Sequence, residues 1–252
     1  MKTESTTGLI LRTRPLTETS LIVLWLTPDF GRLATVAKGA RRPHSPFAGK
    51  LDLFYRADFS FSRSRRSELH TLREVSLRET HPALRQELGY LQQASYCSEL
   101  VEQTTETETP LPAVFELMCG LLNHLTKHPS SLRSSRGNEA LSEKSEIRNP
   151  KSEKEQSLLT SAATFQKDFQ PQTLFAFELK LLNELGLKPN LDQSRLTPGA
   201  KQIVNALTAG DWAALSRLKL SEAQVAELSR FLHGFLIFHL GRIPKGRATL
   251  AA

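Results

Sequence analysis

The sequence predicts an α+β protein, with a five-stranded β-barrel over residues 1–79 and a mostly α-helical domain over 80–252. Three observations carry that reading. Apolar residues over 7–78 come in short runs rich in Val, Ile, Leu and Phe, broken by turn signals. From Pro82 onward the apolar spacing changes to three and four. Pro129 to Ser157 holds eight serines, alternating charges and few apolar residues, so it reads as a disordered insertion, at about 129–157, hanging from the helical part.

The strands follow in order. Leu21 to Leu26 is a continuous apolar run, and Thr27-Pro28-Asp29-Phe30-Gly31 turns the chain after it. Arg32 to Ala37 resumes the pattern. Within Leu51 to Phe61 the second half alternates, with Ala57, Phe59 and Phe61 on one side and Asp58, Ser60 and Ser62 on the other. A basic tip, Arg63-Ser64-Arg65-Arg66-Ser67, leads into Glu68 to Leu77. An antiparallel sheet of about 70 residues solves its edge problem by closing, and the small five-stranded solution is the OB barrel.

The helical half shows three stripes: Leu84, Leu88, Leu91, Ala94, Cys97 and Val101; Val114, Leu117, Leu121 and Leu125; and Leu174, Phe177, Leu181 and Leu185, ended by Gly186 and Pro189. Thr197-Pro198 reads as an N-cap with a proline at the first helical position. Ser221 and Gln224 form a capping-box signature before Val225, Leu228, Leu232 and Leu236.

Net charge is +7, and residues 1–80 carry 14 Lys and Arg against 8 Asp and Glu, so the excess sits on the barrel. A concentrated positive surface is the electrostatic footprint of nucleic-acid binding, with a solubilising or lipid-facing surface as the bland alternative. Lys38-Gly39-Ala40-Arg41-Arg42 places three cations in a loop, and Arg63, Arg65 and Arg66 sit at a hairpin tip. Two basic loops on one small barrel flank a single groove, as OB folds track a strand. With Arg12 and Arg14 on the first strand, these residues form the candidate DNA-binding set. Phe30 and Phe47, in expected loops, are the stacking candidates, while Phe59 and Phe61 read as core.

Enzymatic and metal chemistry find little support. Cys97 and Cys119 fall on apolar helix stripes and read as buried thiols, so no metal and no cofactor is expected. His124 and His128 have i, i+4 spacing, but Leu125 stands where a zinc protease needs Glu, and a polar helix edge is the simpler reading. His239 reads as a packed histidine. Gly199-Ala200-Lys201 lacks the flanks of a P-loop, and no nuclease-like acidic cluster appears. No leader-like segment and no apolar run near the roughly 20 residues of a membrane span is present, which points to a cytoplasmic, nucleoid-associated protein without membrane partners.

Several pieces in order resemble one family. Gly8-Leu9-Ile10-Leu11-Arg12, Glu18-Thr19-Ser20, Thr27 through Gly31 and Val36-Ala37-Lys38-Gly39-Ala40-Arg41-Arg42 resemble the N-terminal OB domain of RecO recombination mediators. Tyr96 to Leu100, Phe177 to Leu182 with Gly186 and Pro189-Asn190-Leu191, and His239-Leu240-Gly241-Arg242 are similar to helices of the same family. Two departures stand out: Asp192-Gln193-Ser194-Arg195-Leu196 lacks the cysteines that form a zinc site in many members, and Leu51-Asp52-Leu53-Phe54 replaces a leucine-glutamine-proline-phenylalanine run. The resemblance implies a non-enzymatic DNA repair and recombination mediator. It would bind single- and double-stranded DNA, anneal strands, work with RecR and indirectly help RecA displace single-strand-binding protein. It also implies a site in the helical domain for that protein's acidic C-terminal tail, with Lys180 or Arg230 meeting its charge. An OB-fold RNA- or ribosome-associated protein is the alternative reading of the basic barrel.

Overall fold

A computed structural model describes residues 3–127, 170–244 and 246–247; the expected insertion at 129–157 and His128 lie outside the described residues. The strands are β1 (Thr3–Pro15), β2 (Leu21–Thr27), β3 (Gly31–Ala37), β4 (Arg56–Ser62) and β5 (Leu69–Glu79). They close in the order β1-β2-β3-β5-β4, with β4 pairing back onto β1 and β3 running parallel to β5, an OB-like barrel. Inside it, Trp25 stacks on Phe59 at 4.0 Å between centroids, and its indole N–H donates to Thr35 Oγ1 at 2.9 Å. A buried indole needs such a partner, because an unmet donor costs more than the bond contributes.

Two local departures from the period-2 pattern shape the joint with the helices. Register shifts between Ile10 and Arg12, so Leu11 is an extra residue in β1. Leu9 and Leu11 pack against the helices while Ile10 stays in the barrel, and the bulge resets the phase beyond it, so that Arg12 and Arg14 pair with Leu24 and Ile22 on the outer face. The second departure corrects an expectation: Leu51 to Tyr55 is not strand. The chain turns there with Phe54 at φ 62, Phe54 N donating to Ile10 O at 2.8 Å and Ile10 N donating to Tyr55 O at 3.0 Å. A phenylalanine in left-handed backbone is strained, and it is held because its ring is buried in the helical core.

A 3-10 turn (Pro82–Arg85) leads to α1 (Leu88–Thr104), α2 (Pro112–Lys127), α3 (Pro171–Glu184), α4 (Pro198–Ala209), α5 (Trp212–Leu215) and α6 (Glu222–Leu240). Both caps read from sequence are present: Thr197 accepts from Ala200 N, and Ser221 with Gln224 forms the reciprocal box. The α3 helix is buried far beyond its expected stripe, with every residue from Thr173 to Leu179 inside. It lies between two cores: Leu174, Phe177 and Leu181 join the one shared with the barrel, while Phe175, Ala176 and Leu179 join the one against α4 and α6.

Two histidines are placed differently from expectation. His124 is buried, with Nε2 3.3 Å from Thr173 Oγ1 and its ring stacked on Trp212, because α3 and α5 cover the helix edge taken as polar. His239 is exposed beside Phe235 and Phe238, since α6 buries only the Leu228, Leu232 and Leu236 line against the body.

At the centre of the helical part, Glu178 is fully buried. It accepts from Arg247 Nε at 2.7 Å and Nη2 at 3.1 Å, and from the Tyr96 hydroxyl at 2.5 Å. Burial holds that phenol far above its ordinary range, so it remains a donor. Removing one partner strands a buried charge. Arg247→Ala is expected to lower the unfolding free energy by about 3–5 kcal/mol, measured by denaturant titration. A loss under about 1 kcal/mol would mean the carboxylate finds water instead.

His81 sits under the barrel–helix joint at φ 47, with Nδ1 2.8 Å from the Phe54 carbonyl and Nε2 3.6 Å from Glu79. Facing a carbonyl, Nδ1 carries the proton and donates. Burial pushes this imidazole below its usual range, opposed by the Phe54 bond and Glu79 and assisted by Arg56 and Arg85. The unfolded chain therefore takes up a proton that the folded one resists, and stability falls as pH drops below about 6.5. A slope of at most about 1.4 kcal/mol per pH unit is expected there. In His81→Asn, whose side chain tolerates left-handed backbone, that limb should flatten.

Candidate nucleic-acid interface

The outer face of β1–β2–β3 is set by register. Arg12, Leu24, Ala34 and Leu69 form one cross-strand row, and Arg14, Ile22, Val36 and Thr71 form the next. A groove of about 440 Å³ lies over these rows, lined by Arg12, Arg14, Ile22, Leu24, Ala34 and Ser67 to Leu69. Its floor is aliphatic and its rim polar.

Cations gather at one end. Arg14 leaves β1 there, and the 16–20 loop is tied to the 38–42 loop by Arg41 N donating to Thr19 O at 3.0 Å and Arg41 Nη1 donating to Thr17 O at 3.3 Å. Gly39, at φ 70, makes the turn in which Arg42 N donates to Gly39 O at 3.0 Å. Lys38, Arg41 and Arg42 are exposed there, as is Arg14, while Arg65 and Arg66 are exposed on the hairpin tip that precedes Leu69. The tip is shaped by Ser64: its N–H donates to His70 Nδ1 at 3.2 Å, and its hydroxyl accepts from Arg66 N at 3.3 Å. Because Nδ1 accepts, the buried His70 ring carries its hydrogen on Nε2, 2.9 Å from Glu108.

The other half of the face is covered, which sequence reading missed. The end of α1 and the loop after it lie against β3. Arg32 Nε donates to Thr105 Oγ1 at 2.8 Å and Arg32 Nη2 to the Thr105 carbonyl, while Glu108 N donates to Arg32 O at 2.8 Å. Burial lowers the Arg32 pKa, with Glu102 acting the other way. Gly31, at φ 61, faces the Thr109 carbonyl so closely that a Cβ would lie 1.7 Å from its oxygen. The available signal was the run Thr104-Thr105-Glu106-Thr107-Glu108-Thr109, β-prone and non-helical, but its partner is about 75 residues away in sequence.

Three expected site residues take other roles, two of them because of this docking. Arg63 is held by Glu4 at 3.3 Å and Glu108 at 2.6 Å, with its guanidinium 5.6 Å from the Phe30 ring centroid, so it braces the hairpin base rather than standing on the rim. Arg12 lines the groove, yet its Nε is 3.1 Å from Glu102 of α1. Lys180 Nζ donates to Thr208 O at 2.9 Å and Gly210 O at 2.7 Å, closing the end of α4, and is therefore tied within the fold. Arg230 is exposed on α6.

The stacking candidates are also relocated. Phe47 is buried in the barrel, and Phe30 lies half-buried edge-on to Phe61. Phe54 belongs to the helical core, and Tyr55 sits under Arg85, whose guanidinium carbon is 4.7 Å from its ring centroid. The groove is lined by aliphatic rather than aromatic side chains.

Cys97 and Cys119 are buried free thiols; burial pushes both up, Cys119 to about 11. Among the described residues there is no group of three or more His, Cys, Asp or Glu suited to a metal ion. The Asp192 to Leu196 loop is held by Asp192 N donating to Asn190 Oδ1 at 3.1 Å and Ser194 Oγ donating to Leu191 O at 2.7 Å, with Leu196 buried beneath. No helix among the described residues is long and apolar enough to cross a membrane.

Residues 1–81, the whole barrel, match the family described as Recombination protein O N terminal. The barrel is therefore similar to the N-terminal domain of RecO-family proteins. Among RecO relatives, the DNA repair protein RecO of Synechococcus elongatus is 35% identical over 118 residues, covering 47% of this chain and 44% of that protein. The Bacillus subtilis protein of the same name is 32% identical over 120 residues, covering 48% and 46%. That of Bacillus pumilus is 27% identical over 186 residues, covering 74% and 57%. The chain thus spans about half the length of the curated RecO relatives it matches.

Arg63→Ala is expected to cost about 1 kcal/mol of stability through its partly exposed ion pairs, while leaving the salt dependence of oligonucleotide binding unchanged. Replacing Arg65 and Arg66 together should do the reverse. Thermal melts and titrations at several salt concentrations separate the two outcomes.

Proposed function

We propose that this chain is a RecO-type, non-enzymatic DNA repair and recombination mediator that binds DNA across the open half of the β1–β2–β3 face. The observation that carries the reading is the aliphatic groove lined by Arg12 and Arg14, with exposed cations on nearby loops, Lys38, Arg41 and Arg42 on one and Arg65 and Arg66 on another. Cations in that arrangement neutralise phosphates and release counterions, which supplies affinity without base identity. An aliphatic floor holds unstacked bases through apolar contact and is indifferent to sequence. The same screening lowers the repulsion between two complementary strands, the physical requirement for annealing.

The partners implied by the family are RecR, the acidic tail of single-strand-binding protein and, indirectly, RecA. For the tail, the surface on α6 is the best candidate. Phe238 is 83% exposed and Ile237 43%, and Arg230, seven residues before Ile237, falls on the same helix face. An apolar chain end with flanking carboxylates fits an apolar patch beside a guanidinium.

Two measurements test these readings. Replacing Lys38, Arg41 and Arg42 by Ala should weaken oligo-dT binding and flatten log K against log salt by about 0.7 per lost phosphate contact. An unchanged slope would contradict the groove assignment. Phe238→Asp should weaken a fluorescent acidic tail peptide by about tenfold or more without lowering the melting temperature. Unchanged peptide affinity would remove α6 from consideration.

A further inference from the structure

We propose that Glu102 competes with phosphate for Arg12 and, with the end of α1, stops the nucleic-acid path half-way across the barrel face. The inference rests on the groove assignment above and specifies where the bound strand ends. Arg12 stands at the boundary between the open and covered halves of the face. Its row continues through Leu24, Ala34 and Leu69 along the groove floor. Its side chain is 40% exposed, whereas the Glu102 carboxylate 3.1 Å from its Nε is only 13% exposed. The acid is therefore anchored in the helical wall, and the base reaches from the open side.

Beyond Arg12, the strands β1, β2 and β3 offer a phosphate no free cation among the described residues, and Arg65 and Arg66 stand on the hairpin tip outside them. Arg32, the next cation, is turned onto Thr105, and the α1 carbonyl end adds negative potential. Glu108 lies further along, already engaged with Arg63 and His70. In the opposite direction lie Arg14 and the tied 16–20 and 38–42 loops with their exposed cations. A strand crossing the whole face would bring phosphate against two carboxylates and a helix C-terminus. A strand leaving over the 38–42 loop meets Lys38, Arg41 and Arg42, against the exposed acids Glu18 and Glu68. Glu102 is thus a specificity-determining residue that acts through Arg12.

The test uses the full chain and fluorescein-labelled oligo-dT, titrated over a range of salt. Glu102→Gln keeps size and an acceptor for Arg12 but removes the charge. It is expected to tighten binding about fivefold at low salt and to steepen the salt slope by about 0.7, one added phosphate contact. Arg12→Ala in the unaltered chain should cost less than about twofold, because the cation is already neutralised. In the Glu102→Gln background the same change should abolish the whole gain. Unchanged affinity and slope in Glu102→Gln, or a loss from Arg12→Ala as large as that from Arg14→Ala, would overturn the competition. Arg14→Ala run in parallel separates the two levels of inference. If it has no effect, the groove assignment itself has failed; if it weakens binding while Glu102→Gln does nothing, only the competition has.

Discussion

The docking of the helical part onto one half of the β1–β2–β3 face sets most of what is particular about this molecule. Leu9, Leu11, Leu26 and Phe54 from the barrel share a single core with α1, α2 and α3. An apolar joint of that kind is non-directional and is fixed in orientation by its polar edges. Here those edges are Arg32 with Thr105, Arg12 with Glu102, and the close approach of Gly31 to Thr109. The left-handed Phe54 delivers its ring to the joint, and the bulge at Leu11 turns Arg12 and Arg14 onto the outer face beside it.

What the joint covers also defines what it leaves open. A bare OB barrel exposes the full width of this sheet face. Here only the rows from Arg12 and Arg14 outward face solvent, and the exposed Arg14, Lys38, Arg41 and Arg42 lie on that side. Three arginines on the covered side or its border are met by Glu102, Glu4 and Glu108 or by Thr105. Part of the positive charge counted along the N-terminal 80 residues is therefore sorted by the fold into braces and rim, and Lys50, Arg73 and Arg78 lie on the opposite barrel face. An uneven distribution of that kind favours a strand lying in one direction over a non-specific coating of the barrel.

Much of this was legible in the sequence, and the failures have physical causes. The five strands, the order of helices, the Thr197 cap and the Ser221 box follow from short-range patterns, and the structure contains each of them. The loops carrying Lys38, Arg41, Arg42, Arg65 and Arg66 were placed on the surface correctly because a run of cations has no cheap burial. Arg63 was misjudged since its partners, Glu4 and Glu108, lie at the start of β1 and beyond α1. Phe47 looked like a loop aromatic because nothing local signals that its loop folds back to seal the barrel. Lys180 sits on a helix whose stripe understated its burial, and its ammonium reaches carbonyls at the end of α4 that no helix phase predicts. In each case local period decided the element, and a contact distant in sequence decided the role.

Hydrogen exchange of the full chain with and without saturating oligo-dT is the most direct measurement of where the strand lies. Slowed exchange is expected in 12–24, 34–42 and 63–69, with 4–8, 56–60 and 73–78 on the opposite barrel face unchanged. Protection confined to that opposite face, or continuous across Arg32 into 105–109, would contradict a groove open only on its Arg14 side.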